Sequence, residues 1–219
     1  LEHIKCDLAI VGGGLAGGLL ALALARLRPE LKVVLIEQEN HFGGNHIWSY
    51  FASDIAPEHR WLTAPLVTYG WSGYSVHFPE HSRDLDNIYY TIESERLDWL
   101  LRHNLPAGAL LTGRQVKAVS PRLVVLEGSQ RIIAGGVIDA RGAADLHHLD
   151  CGWQKFTGQL LQLSEPHSLT KPIVMDATVD QHDGYRFVYV LPFGMDKIFI
   201  EDTYYADRPE MDPRAHRRR

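Results

Sequence analysis

The residues that invite a chemical reading are glycines and one acid near the start of the chain. Gly12-Gly13-Gly14-Leu15-Ala16-Gly17 has the spacing G-x-G-x-x-G, and Glu37 stands about 20 positions further on. Gly12 permits a tight turn, Gly14 lets the backbone approach a pyrophosphate, and Gly17 lets a helix pack close to a strand. A carboxylate at Glu37 can accept hydrogen bonds from both ribose hydroxyls and repels a 2′-phosphate, which makes NADP a poor fit. Gly43-Gly44 soon after would let the backbone pass close to an extended ligand, or form a plain Gly-Gly turn. Much later, Glu201 shares a strand face with Phe199 and Thr203. Such a carboxyl group is either desolvated, with a raised pKa suited to acid–base work, or a salt-bridged carboxylate at a strand edge.

These residues need particular elements to hold them. Cys6–Val11 reads as a short buried parallel strand ended by glycines, and Leu19, Leu22, Ala23 and Leu27 follow at helical spacing. Lys32–Ile36 is a second apolar strand, ending at Glu37. The run from Leu8 to Ala25 has eighteen residues without a charge and five glycines, long enough to suggest a membrane span or a signal-peptide core. The clustered glycines favour strand, turn and buried helix instead. Strand, helix, strand and acid in this order predict a dinucleotide site; the residues alone leave NAD and FAD both open.

Further on, Tyr74–Phe78 and Ile88–Ile92 read as extended, and Ser94 as the cap of a helix bearing Leu97, Leu100 and Leu101. Gln115–Val119, Leu123–Leu126, Arg131–Ala134 and Gly136–Ala140 read as four short strands, with Glu127-Gly128-Ser129 as a hairpin turn. This β-meander leads into Val137-Ile138-Asp139-Ala140-Arg141-Gly142, where Asp139 and Gly142 are expected to meet the cofactor. Phe156–Leu163, Ile173–Asp176, Tyr185–Leu191 and Lys197–Thr203 predict an antiparallel substrate-facing sheet.

Composition narrows the rest. A formal net charge of -5 gives no electrostatic case for nucleic acid. Two cysteines, far apart, suggest neither disulfide framework nor zinc site, and twelve scattered histidines suggest no metal. His147-His148 is the one adjacent histidine pair, and His216-Arg217-Arg218-Arg219 is strongly basic. The bland reading of that tail is a frayed or artificial end.

Five stretches together resemble bacterial lycopene β-cyclases. They are Asp7–Ala16, Gly43–Ser49, Arg60–Val67, Met175–Gln181 with Gly184–Tyr189, and Ile200–Thr203. The resemblance implies an α/β fold: a Rossmann-type FAD-binding domain with a β-meander, plus an antiparallel-sheet substrate domain. It divides the chain into an FAD-binding unit over 1–60, a substrate-side segment over 61–92, a return to the FAD domain over 93–145, substrate-domain strands over 146–213, and a basic tail over 214–219. It implies reduced FAD as cofactor, with NAD(P)H as reductant, and conversion of the ψ-ends of lycopene to β-rings without net electron transfer. Gly12, Gly14, Gly17, Glu37, Gly43, Gly44, Asp139 and Gly142 are the expected cofactor residues, and the family's essential glutamate maps onto Glu201.

The resemblance further implies a cytoplasmic protein held peripherally at the inner membrane, acting on carotenoids. It fades near Asp212-Pro213, where the later part of the family fold is expected to be missing. Two other readings remain: a redox flavoenzyme of the same fold, such as a monooxygenase or prenyl reductase, and an inactive product of a broken gene.

Overall fold

A computed structural model describes residues 3–142, 148–181 and 184–210. The expectations for His147, Asp212-Pro213 and the tail over 214–219 lie outside the described residues. Two compact units interleave along the chain. The first takes the described residues up to Tyr50, Asp54–Thr68, and Thr91 to Gly142; the second takes Phe51–Ser53, Tyr69–Tyr90, and the described residues from His148 onward. Residues 61–68 thus fall in the first unit.

Chain order begins β1 (Ile4–Val11), α1 (Leu15–Leu27), β2 (Val33–Ile36) and β3 (Ile47–Phe51). Next come α2 (Arg60–Thr63), β4 (Tyr69–Trp71), β5 (Tyr74–Phe78), β6 (His81–Leu85), β7 (Tyr89–Glu93) and α3 (Ser94–Asn104). Then follow β8 (Leu110–Leu111), β9 (Val116–Ser120), β10 (Leu123–Leu126) and β11 (Arg131–Asp139). The last strands are β12 (Trp153–Gln162), β13 (Ile173–Asp176), β14 (Tyr185–Pro192) and β15 (Lys197–Ala206).

In the first unit a six-stranded sheet has the order β8-β2-β1-β11-β10-β9. The pairs from β8 to β11 are parallel, and β11-β10-β9 is an antiparallel meander. Strands covered on both faces read as unbroken apolar runs, and Ala9, Ile10, Val34, Leu35 and Ile36 are all at most 1% exposed. The run from Leu8 to Ala25 is strand, turn and helix, as its glycines suggest. α1 buries Gly17, Gly18 and Ala21 rather than a stripe ending at Leu27, which is 62% exposed. The small residues let α3 come close: a Cβ on Gly18 would meet Leu97 Cδ1 at 2.9 Å.

Two local expectations need correction. Arg131–Ala134 and Gly136–Ala140 form one strand, because β11 runs beside β1 without interruption from Ile132 to Asp139. Gly135 interrupts nothing there; its missing side chain admits the Asp7 carbonyl, which would lie 2.8 Å from a Cβ. Ser94 is the first helical residue rather than the cap. It is 3% exposed, its N–H donates to His46 O at 3.1 Å, and Glu93 occupies the cap position without a side-chain bond.

In the second unit a six-stranded sheet has the order β12-β15-β14-β13-β5-β6. It is antiparallel except between β13 and β5, which run parallel. The four strands expected to form an antiparallel sheet, β12 to β15, do pair antiparallel, and β5, which was not among them, joins β13 in parallel. β5 lies far upstream of β13, so their direction is set by how the chain returns and not by a hairpin turn.

Candidate functional site

In the first unit the glycine turn closes one end of a groove of about 640 Å³, within the roughly 300–1,000 Å³ of ordinary ligand pockets. Gly12, Gly14, Glu37, Gly43, Gly44 and Gly142 all line it. Gly12 has φ 104°, a conformation only glycine adopts freely. Its backbone lies against Ala140, whose carbonyl carbon would be 2.7 Å from a Cβ. Gly17 is not in the wall. A Cβ there would fall 2.0 Å from Gly12 O, so its task is helix-to-strand packing.

Glu37 faces the turn. Its Oε2 accepts the Gly13 N–H at 2.8 Å and its Oε1 the Glu39 N–H at 3.0 Å. Its own N–H donates to Leu111 O and its carbonyl accepts from Arg114 N, which fixes the backbone at the mouth of the groove.

The Gly43-Gly44 turn is built against the first glycine turn. Gly43 and Gly44 have φ 85° and 63°. Gly43 N–H donates to Gly13 O at 2.8 Å, and the fully buried ring of Phe42 fills the space beside Gly13. Helix α3 secures this loop through Asp98, which accepts the Phe42 N–H at 2.8 Å and pairs with Arg102 at 2.7 Å. Burial pushes the Asp98 carboxyl up, but the hydrogen bonds from Arg102 and Phe42 outweigh it and hold it below the usual range.

Asp139 is not in the wall either. It pairs with Arg141 at 2.6 Å, and Arg141 lines the groove. Arg114 and Arg141 are lining cations that sequence reasoning missed; nothing in their spacing distinguished them from surface arginines.

An extended dinucleotide needs an uncapped helix start and glycines whose Cβ positions open onto the ligand. Gly14 caps α1 without any side-chain bond, and a Cβ on Gly14 or Gly142 would meet nothing within 4 Å. The first-turn N–H groups of α1 are therefore available to a phosphate. These residues fit FAD.

In the second unit Glu201 lies near the middle of β15. Its direct neighbours are Gly158 on β12 and Tyr189 on β14. Alternation puts Phe156, Leu160, Tyr185, Phe187, Leu191, Phe199 and Thr203 on the same face. The Tyr189 hydroxyl bonds the Tyr89 hydroxyl at 2.9 Å, and the unit also stacks Tyr69 on Phe193 at 4.2 Å. Burial raises the Glu201 pKa, opposed by a hydrogen bond from Thr203.

The opposite face carries a polar knot. Asp202 pairs with Arg186 at 2.8 and 3.1 Å and accepts the Tyr204 hydroxyl at 2.7 Å. Gln181 accepts the Arg186 N–H at 2.9 Å and donates to the Arg186 carbonyl at 2.8 Å. Adjacent acids, Glu201 and Asp202, thus serve opposite faces of one strand.

A parallel nucleotide sheet with an antiparallel meander, and a second mixed sheet, make up a fold that the chain shares with solved structures of a monooxygenase and a flavin-dependent halogenase. Among solved structures, p-nitrophenol 4-monooxygenase from Pseudomonas putida matches with a TM-score of 0.68 at 15% identity, over 100% of this chain and 62% of that one. A flavin-dependent halogenase from Xanthomonas campestris matches with a TM-score of 0.64 at 13% identity, over 98% and 58%.

Sequence goes further: the family described as lycopene cyclase protein matches residues 7–219, and the chain belongs to that family. It is 46% identical to the lycopene β-cyclase of Pseudescherichia vulneris over 96% of this chain and 54% of that protein. It is 43% identical to that of Pantoea ananas over 96% and 55%. The chain therefore spans about half the length of the curated relatives it matches.

Proposed function

We propose that this chain carries the FAD-binding unit and the acid–base face of a lycopene β-cyclase, which closes the ψ-ends of lycopene into β-rings. The observation that carries the reading is Glu201, a half-buried carboxyl group with a raised pKa on an aromatic strand face, in a chain of this family.

The chemistry follows from what such a group can do. A carboxyl group whose pKa is raised by burial keeps its proton to higher pH and can donate it to a terminal double bond. The resulting tertiary cation is attacked by the neighbouring double bond, and a six-membered ring closes. Loss of a proton from the ring carbon beside the new cationic centre restores an alkene within the ring, and the carboxylate can take that proton up. The product has the mass of the substrate, and no electrons are exchanged. Tyrosine and phenylalanine rings on this face would offer π density to the cation. Gly12, Gly14, Gly43, Gly44 and Gly142 would hold FAD by backbone contact, and Glu37 would hold its ribose. Bound FAD, kept reduced by NAD(P)H, would supply negative charge to the cationic stage.

Lycopene is too apolar to travel through water, so this reading includes peripheral attachment to the inner membrane from the cytoplasmic side. Among the described residues no helix is long and apolar enough to cross a membrane. Co-flotation with phospholipid vesicles tests the attachment.

For activity, the chain is joined to the remaining half of a curated relative and expressed in lycopene-accumulating cells. β-Carotene should form, and Glu201→Gln should reduce it by roughly a hundred- to ten-thousand-fold. Near-normal β-carotene from that variant overturns the role of Glu201. Asp202→Asn, on the opposite face, should act mainly through stability. The solved structures of similar fold include monooxygenases, so redox chemistry is the competing reading; a product heavier than lycopene would favour it.

A further inference from the structure

We propose that Thr203 is a positioning residue for Glu201, its buried hydroxyl deciding which carboxyl oxygen carries the exchangeable proton. The inference rests on the reading of Glu201 as the acid.

Thr203 is 0% exposed, and a buried hydroxyl is rarely left without a hydrogen-bond partner. Its Oγ1 donates to Glu201 Oε1 at 2.8 Å. A neutral carboxyl group has one oxygen that only accepts and one that bears hydrogen. The Thr203 bond assigns the accepting part to Oε1 and leaves the proton on Oε2. The two residues are two apart on one strand, so a rigid backbone sets the bond.

The surroundings leave this bond little competition. Gly158 opposes Glu201 from β12 with no side chain, and the Phe199 ring lies over it, 2.6 Å from where a Cβ would stand. Tyr189 opposes from β14. On the Glu201 face of β12, β14 and β15 the other titratable groups are Tyr185, Tyr189, Tyr205 and, at the start of β15, Lys197. Arg186 and Asp202 face the other way. Burial weakens Glu201 as an acid, and the Thr203 bond works against that. A buried acid that must protonate an alkene gains from this opposition.

The test uses the chain itself, with the Glu201 carboxyl followed by ¹³C NMR and assigned by its absence in Glu201→Gln. Thr203→Val should make Glu201 about a tenfold weaker acid, the order expected for one lost hydrogen bond to a charged group. Thr203→Ser should restore the original titration. Should the valine form fail to fold, Thr203→Ala is read in its place. An unchanged midpoint in the folded variant, or no recovery with serine, overturns the proposal. The catalytic reading fails separately: near-normal β-carotene from Glu201→Gln with a shifted titration in Thr203→Val refutes Glu201 as the acid and leaves the positioning intact.

Discussion

Asp98 in the first unit and Glu201 in the second are both half-buried carboxyl groups, and their surroundings treat them oppositely. Asp98 takes a backbone N–H and a bidentate arginine, which together overcome burial and keep it ionised. Glu201 takes a single hydroxyl, and burial prevails. The first arrangement is structural, holding the Phe42–Gly44 loop against the glycine turn. The second gives up stability at neutral pH for a group able to move a proton. Counting donors around a carboxyl separates the two cases better than burial does.

The comparison extends to how each unit builds its site, and substitutions can break it. The largest effect on folding should come from Gly17→Val, because a Cβ would sit 2.0 Å from Gly12 O. We expect a loss of about 3 kcal/mol or more in urea unfolding, and loss of FAD binding with it.

Asp98→Asn should cost about 1–3 kcal/mol, since it weakens the bonds to Phe42 and Arg102. Its pH dependence has a definite sign. A carboxyl depressed by folding stabilises above its ordinary pKa, and the contribution fades as pH falls through the folded value. The difference between wild type and Asp98→Asn should therefore shrink on acidification.

Glu201→Gln should run the other way. A carboxyl raised by folding favours the native state below its ordinary pKa, and that advantage disappears as pH rises through the folded value. The glutamine form should thus gain on wild type between acid and neutral pH in thermal melts. A variant that instead loses ground as pH rises would show that Glu201 is held ionised and would erase the contrast with Asp98. Smallest of all, Arg28→Ala removes an exposed pair with Glu30 and should leave unfolding unchanged within error.

The first site was legible because backbone makes it. A turn at φ 104° and a helix that nearly touches a strand demand glycine, so the letters Gly12, Gly14 and Gly17 carry the geometry. Glu37 followed from its distance to that turn. Asp139 did not: it pairs with Val11, just before the turn, but spends its carboxylate on Arg141. The Asp98 clamp was invisible, because the residues it joins, Phe42 and Asp98, are remote in sequence and ordinary in type.

In the second unit the strands and their alternation could be read, and so could Glu201 facing with Phe199. Pairing could not. That Tyr189 and Gly158 flank Glu201 depends on register, and the parallel β5–β13 pair depends on a long return of the chain. Thr203 lay two residues from Glu201 on the same face; what was hidden is that it is fully buried.

The interleaving of the two units has a kinetic side. β11 completes the sheet started by β1 before any strand from β12 onward has left the ribosome. β5 and β6 are made early, yet β5 lacks its neighbour β13 until much later. The nucleotide sheet is therefore expected to mature first, while an incomplete β5–β6 hairpin waits with one open edge, the kind of exposed strand that invites association between chains. Pulse-labelled hydrogen exchange during refolding should find the amides of β1 and β11 protected ahead of those of β13 and β14, and chaperone demand should be greatest in the interval between.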